Sequence, residues 1–143
     1  MFRQPSYHEM MFVALGLTII TPVLGQIAVN ISSCFSTGVA ASGCSSFIDT
    51  FCGSGAVILP VSLSDSFSLC FNAPAGFKCD FTARNALGTA TNPAAVNCED
   101  TLSAIVEECP MGGEGSVQPG GSFTFALDPN EGSCGPDVVT EGS

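Results

Sequence analysis

The sequence contains no tryptophan, a single tyrosine (Tyr7), a single histidine (His8) and three basic residues set against 13 acidic ones. Each scarcity closes off a class of function. The histidine and the tyrosine both fall in an N-terminal stretch that reads as a removable leader. Without it no histidine remains for a Ser-His-Asp triad, a Cys-His pair or a His-ligated zinc. The leader takes Arg3 and Glu9 together, so Lys78 and Arg84 are left as the only cations and the net charge stays at −10. Such a chain repels nucleic acid and anionic membrane surfaces, but not an uncharged ligand such as a sugar.

What is present begins with that leader. MFRQPSYHE carries one arginine and little apolar character, and it runs into the uncharged stretch MMFVALGLTIITPVLG. This is the shape of a secretory signal. It is shorter than the roughly 20 residues a spanning helix requires, and Pro22 and Gly25 interrupt its end. Residues 1–25 are therefore expected to be cut away ahead of Gln26, with a cut after Ala28 as the alternative. Residues 26–143 would form a single secreted domain that does not insert into a membrane.

The eight cysteines, Cys34, Cys44, Cys52, Cys70, Cys79, Cys98, Cys109 and Cys134, all follow the leader. An even number in an oxidising compartment implies four disulfides, each worth about 2–4 kcal/mol. Oxidised cysteines are neither nucleophiles nor metal ligands. Their connectivity is one of about a hundred possible pairings.

Residues 27–35 alternate partly and predict a first strand. Phe47, Ile48, Phe51 and Cys52 recur at helical spacing and predict a short helix between Ser42 and Gly53. The apolar run from Ala56 to Ser64 predicts an edge or irregular strand, because Pro60 lacks an N–H. The segment FSLCFNAPAGFKCDFTARN reads as a β-hairpin around Asn72-Ala73-Pro74-Ala75-Gly76. A turn centred between Pro74 and Ala75 places Cys70 opposite Cys79, so either a cross-strand disulfide or a pair of staples from sheet to helix is expected. Asn92 as N-cap and Pro93 as first residue open a helix whose apolar face is Ala95, Cys98, Leu102, Ile105, Val106 and Cys109. Its two cysteines share the buried side, which predicts a helix doubly tied to the sheet, and Pro110, Gly112 and Gly113 stop it. GSFTFALDP predicts a last strand over residues 121–129, followed by a loose tail after Cys134. Helices and strands in this order imply an α/β or α+β sandwich in which helices cover an antiparallel or mixed sheet.

Few residues suggest chemistry. Glu99, Ser103 and Glu107 align on one side of the second helix, but carboxylates alone hold hard cations poorly, so a solvated face is expected and no metal. Asp128-Pro129-Asn130-Glu131-Gly132 begins like a calcium loop, but Val139 stands where the closing acid should be, so a simple turn is expected. A glycosidase needs two carboxylates, which composition permits without pointing to any. No enzyme activity and no cofactor are expected. Lys78, Asp80, Arg84 and Asn85 cluster near the hairpin, where they could orient hydroxyl groups of a ligand; local ion pairing on an acidic surface is the competing reading. Asn30-Ile31-Ser32 is an N-glycosylation sequon.

Four phrases in order, SSFIDTFC (45–52), CFNAPAGFKCDFTARN (70–85), CEDTLSAIVEECPMGGEG (98–115) and GGSFTFALDPNEGSCG (120–135), resemble the small secreted glycan-binding lectins of gilled mushrooms, of the ink-cap type. The resemblance spans most of residues 34–135. It implies a single α-β-α sandwich, two monomers joining their sheets side by side, and recognition of glycans such as fucosylated GalNAc-GlcNAc structures. Hydrophobins, also rich in cysteine, are excluded because no two cysteines are adjacent. The expected function is a secreted lectin-like protein that holds an oligosaccharide or glycoconjugate without catalysis, as a homodimer joined through sheet edges. With neither Trp nor Tyr to stack on a sugar, Phe77 or another exposed phenylalanine would have to serve. The alternative is a disulfide-stabilised structural or effector protein that acts through protein contacts.

Overall fold

The computed structural model describes residues 28–54 and 60–135. The leader expected over residues 1–25, the start of the apolar run from Ala56 and the tail from residue 136 lie outside them. Five strands form one antiparallel sheet: β1 (Ala28–Cys34), β2 (Ser66–Asn72), β3 (Phe77–Asn85), β4 (Gly113–Gln118) and β5 (Phe123–Glu131), in the spatial order β1-β4-β5-β3-β2. A 3-10 helix (Ala41–Phe47) runs into the short helix α1 (Ile48–Cys52), and α2 (Ala95–Glu108) joins β3 to β4. The class is α+β.

Alternation along the strands decides which face is covered. Cys79, Phe81 and Ala83 of β3 and Phe123, Phe125 and Leu127 of β5 are buried on one face. They pack against Cys44, Ile48, Phe51 and Cys52 from the first helical segment and Cys98, Leu102 and Ile105 from α2 in one cluster. Phe51 and Phe81 stack at 5.2 Å between ring centroids, and Phe71 meets Phe81 edge-on at 5.6 Å, both favourable ring geometries. The residues between, Lys78, Asp80, Thr82 and Arg84, then Thr124, Ala126, Asp128 and Asn130, point the other way and are half-buried or exposed. An antiparallel sheet with one apolar face buries only that face. Among the described residues the helices accordingly lie on one side, giving two layers; a third would have to come from residues outside that set.

All eight cysteines are paired: Cys34–Cys109, Cys44–Cys79, Cys52–Cys98 and Cys70–Cys134. The cross-strand alternative for Cys70 and Cys79 is overturned. Asp80 stands opposite Cys70, and Phe71 opposite Cys79. A one-residue difference in register sends two side chains to opposite faces, so Cys79 reaches the 3-10 helix through the core while Cys70 holds the segment after β5. Only half of the staple alternative therefore applies. The helix α2 is tied once to the end of β1, through Cys109, and once to α1, through Cys98, rather than twice to the sheet.

Four boundaries differ from expectation. The helix α2 begins at Ala95, not Pro93, because Thr91 is still extended, exchanging hydrogen bonds with Val61 at 2.9 and 3.2 Å. That isolated bridge is the only strand-like pairing among the described residues of the run expected as a strand from Ala56 to Ser64. The glycine-rich β4, expected only as a helix stop, lies between β1 and β5. Finally β5 continues to Glu131, so Asp128 to Glu131 are strand and not a turn. Pro129 is tolerated there because β4 ends its pairing at Leu127, and beyond that point one side of β5 needs no ladder donor. The Pro129 carbonyl instead accepts the Val39 N–H at 3.0 Å.

Candidate functional site

The face of the sheet turned away from the described helices is built by register. Across the strands run Ser66, Arg84, Thr124, Ser116 and Asn30 in one row, then Ser68, Thr82, Ala126 and Glu114 in the next. Cys70, Asp80 and Asp128 form a third row, and Asn72, Lys78 and Asn130 a fourth. Neighbours within such a row stand close enough to act on one ligand. Hydroxyls, amides, carboxylates and the two cations Lys78 and Arg84 fill these rows, with Ala126 and the Cys70 disulfide as their apolar members. Two hydroxyls, Ser68 Oγ and Thr82 Oγ1, already bond each other at 2.8 Å.

Of the four residues expected to form a binding rim, the sheet brings three onto this face. Lys78 and Asp80 form an ion pair at 2.6 Å, with both side chains about a third exposed. Water screens such a pair, so it contributes at most about 1 kcal/mol. It has a local task, because Asp80 stands directly opposite Asp128 and like charges facing each other across a ladder repel. Lys78 offsets that repulsion. Arg84 has no ion-pair partner among the described residues.

The fourth, Asn85, must be removed from the rim. It falls on the covered face and is fully buried. Its Nδ2 donates to the carbonyls of Val61 at 2.9 Å and Thr89 at 2.8 Å, and its Oδ1 accepts the Leu87 N–H at 2.9 Å. With its amide fully occupied it holds two loops together, and nothing remains to offer a ligand. Phe77 is also unsuited to stacking a sugar: it is half-buried, and its ring lies so close over Gly43 that a Cβ there would collide with it. Asn30 is exposed on β1, an outer strand of the sheet. Among the described residues no group of three or more His, Cys, Asp or Glu could hold a metal ion.

Sequence reasoning missed Thr82, Thr124, Ser116, Asp128 and Asn130 as companions of Lys78, Asp80 and Arg84 on this face. The two-residue alternation of β3 and β5 does mark the outward positions, but their juxtaposition depends on register, and β4 gave no strand signal. A separate cavity of about 80 Å3 opens where the start of α2 meets the β4–β5 turn, lined by Asn92, Asn97, Ser122 and Phe123 among others.

The geometry can be set beside known proteins. The chain is similar to antiviral protein CAP of Coprinus comatus, with 35% identity over 97 residues, which cover 65% of this chain and 92% of that protein. The model of the family described as glycan binding domain Y3 matches residues 43–134, a span that includes β2 to β5, both α-helices and seven of the eight cysteines. The protein therefore belongs to the glycan binding domain Y3 family.

Proposed function

We propose that this glycan-binding protein holds an uncharged oligosaccharide on the face of its sheet turned away from the described helices, outside the cell and without covalent chemistry. The observation that carries the reading is the density of hydrogen-bonding side chains on that face: Lys78, Asp80, Thr82, Asp128 and Asn130 lie on adjacent strands in register. Carboxylates accept from sugar hydroxyls, and the charge strengthens each bond. Among the described residues no aromatic ring belongs to these rows, so hydrogen bonds rather than stacking must supply affinity. Four disulfides suit an oxidising, extracellular setting, and no described helix is long and apolar enough to cross a membrane.

Association would use one of the outer strands, β1 or β2, since an exposed strand edge can pair with its copy in a two-fold dimer. N-glycosylation at Asn30 would leave β2 as the freer edge. Size-exclusion chromatography with light scattering tests the dimer, and a strictly monomeric mass at assay concentration rejects it.

The binding reading is tested on a glycan array followed by calorimetry with Asp80→Ala and Asp128→Asn. Tenfold or greater weakening by either substitution, with the fold retained, is the expected result. An array with no hit rejects glycan binding by this chain, and unchanged affinity in both variants moves the site away from this face.

A further inference from the structure

The cavity at the start of α2 differs in chemistry from the open face. Its lining is Asn92, Ala94, Asn97, Val117, Gly121, Ser122, Phe123 and Phe125, with no charged side chain, in a chain whose net charge is −10. Val117, Phe123 and Phe125 are buried and form an apolar floor. Asn97 and Ser122, both half-buried, stand at its polar side. Their backbone oxygens are engaged: Asn97 accepts the Thr101 hydroxyl at 2.7 Å and Ser122 accepts the Ala86 N–H at 2.9 Å. Their side chains are not, since neither the Asn97 amide nor the Ser122 hydroxyl has a hydrogen-bond partner among the described residues.

A volume of about 80 Å3 exceeds what one water needs severalfold. Water over a floor of two phenyl rings and a valine lacks partners on that side, so a group with one apolar and one hydrogen-bonding edge gains by displacing it. That pairing of edges describes part of a sugar ring with its substituent: C–H or methyl groups on one side, hydroxyl or amide on the other. A carboxylate, sulfate or ammonium would find no counter-charge here.

From this we infer a second subsite, for one uncharged sugar residue, at the mouth between α2 and the β4–β5 turn, with Asn97 and Ser122 as its polar contacts and Phe123 and Phe125 as its floor. It rests on the glycan-binding reading but not on the open face, from which it is separated by the sheet: Phe123 and Phe125 point inward while Thr124 between them points outward. One glycan-binding domain would thus carry two unlike contact points, one charged and one neutral.

The test is a two-dimensional amide NMR titration of the full chain with methyl glycosides of a hexose, a 6-deoxyhexose and an N-acetylhexosamine. The expected result is saturable shifts at Asn97, Gly121 and Ser122 with at least one of the three, retained in Asp80→Ala. Ala94→Leu, which fills the mouth from an exposed position, should abolish them. Asn97→Ala, the second variant should the first fold poorly, should weaken binding at least fivefold. Shifts confined to the rows of Lys78 and Asp80, or shifts at the cavity that survive both Ala94→Leu and Asn97→Ala, overturn the subsite while leaving glycan binding intact. Silence toward all three sugars, in a protein that binds glycans on an array, also overturns it; silence in both assays sinks the glycan reading as well.

Discussion

Asn85 and Asp80 are five residues apart on one strand, both polar, and they do opposite work because of parity. Asn85 faces inward, where its amide ties β3 to the carbonyls of Val61 and Thr89 and to the N–H of Leu87. Replacing it by alanine removes three hydrogen bonds, one buried and two part-buried, and leaves a gap in the core, so Asn85→Ala should lose about 2–4 kcal/mol in urea unfolding, with glycan affinity of the folded fraction unchanged. Asn85→Asp should be worse, since a carboxylate oxygen would face two carbonyls. Asp80 faces outward, and its pair with Lys78 is screened. A double-mutant cycle on Lys78→Ala and Asp80→Ala should give a coupling below about 1 kcal/mol, while Asp80→Ala alone should be felt in binding.

At the level of elements, β4 shows why one strand of the five escaped reading. GEGSVQ has little β-branched content and carries glycines, which normally mark loops. The glycines are there because neighbouring layers leave no room. A Cβ on Gly115 would lie 3.0 Å from Thr101 Cγ2 of α2 and 3.1 Å from the Asn30 carbonyl oxygen of β1. Gly115→Ala should therefore push helix from sheet and lose about 1–3 kcal/mol, measured by thermal or urea unfolding. Gly112, with φ of +83° and the Leu127 carbonyl against its missing Cβ, should tolerate alanine less well still. Elements whose signal is amphipathic were legible: α2 through Cys98, Leu102 and Ile105, the hairpin through its turn and alternation, β5 through Phe123, Phe125 and Leu127. What tertiary contact imposes was not, including the glycines of β4, the register that separates Cys70 from Cys79, and the late start of α2. The candidate site followed the same division. Lys78, Asp80 and Arg84 stood out by composition, but only register shows that Asp128, Asn130 and Thr124 join them and that Asn85 does not.

For the whole molecule, the disulfides divide into two classes by access. Cys44, Cys79, Cys52 and Cys98 are all at most 1% exposed, so the bonds Cys44–Cys79 and Cys52–Cys98 are sealed between the helices and the sheet. Cys34 is exposed and Cys134 half-buried, so Cys34–Cys109 and Cys70–Cys134 each present one sulfur-bearing residue to solvent. Exchange requires a thiolate to reach a disulfide sulfur, so access sets the order where the attacking thiol is the same. Under limiting reductant in native buffer, alkylation followed by peptide mapping should find Cys34, Cys109, Cys70 and Cys134 labelled before any of the other four. The consequences should differ as well. Opening Cys70–Cys134 frees the segment after β5 that is held at Asn72, whose side chain accepts the Cys134 N–H at 2.8 Å, while the core cluster stays closed. Breaking Cys52–Cys98, which spans 46 residues of sequence and joins the two helices over the core, should lose about 4 kcal/mol on the loop-entropy account. The double substitution Cys52→Ala, Cys98→Ala should show that loss as a lowered urea-unfolding midpoint. Labelling of all four bonds at one rate would mean that the molecule opens globally before any single bond is reached, and labelling of the two core pairs first would overturn access as what sets the order.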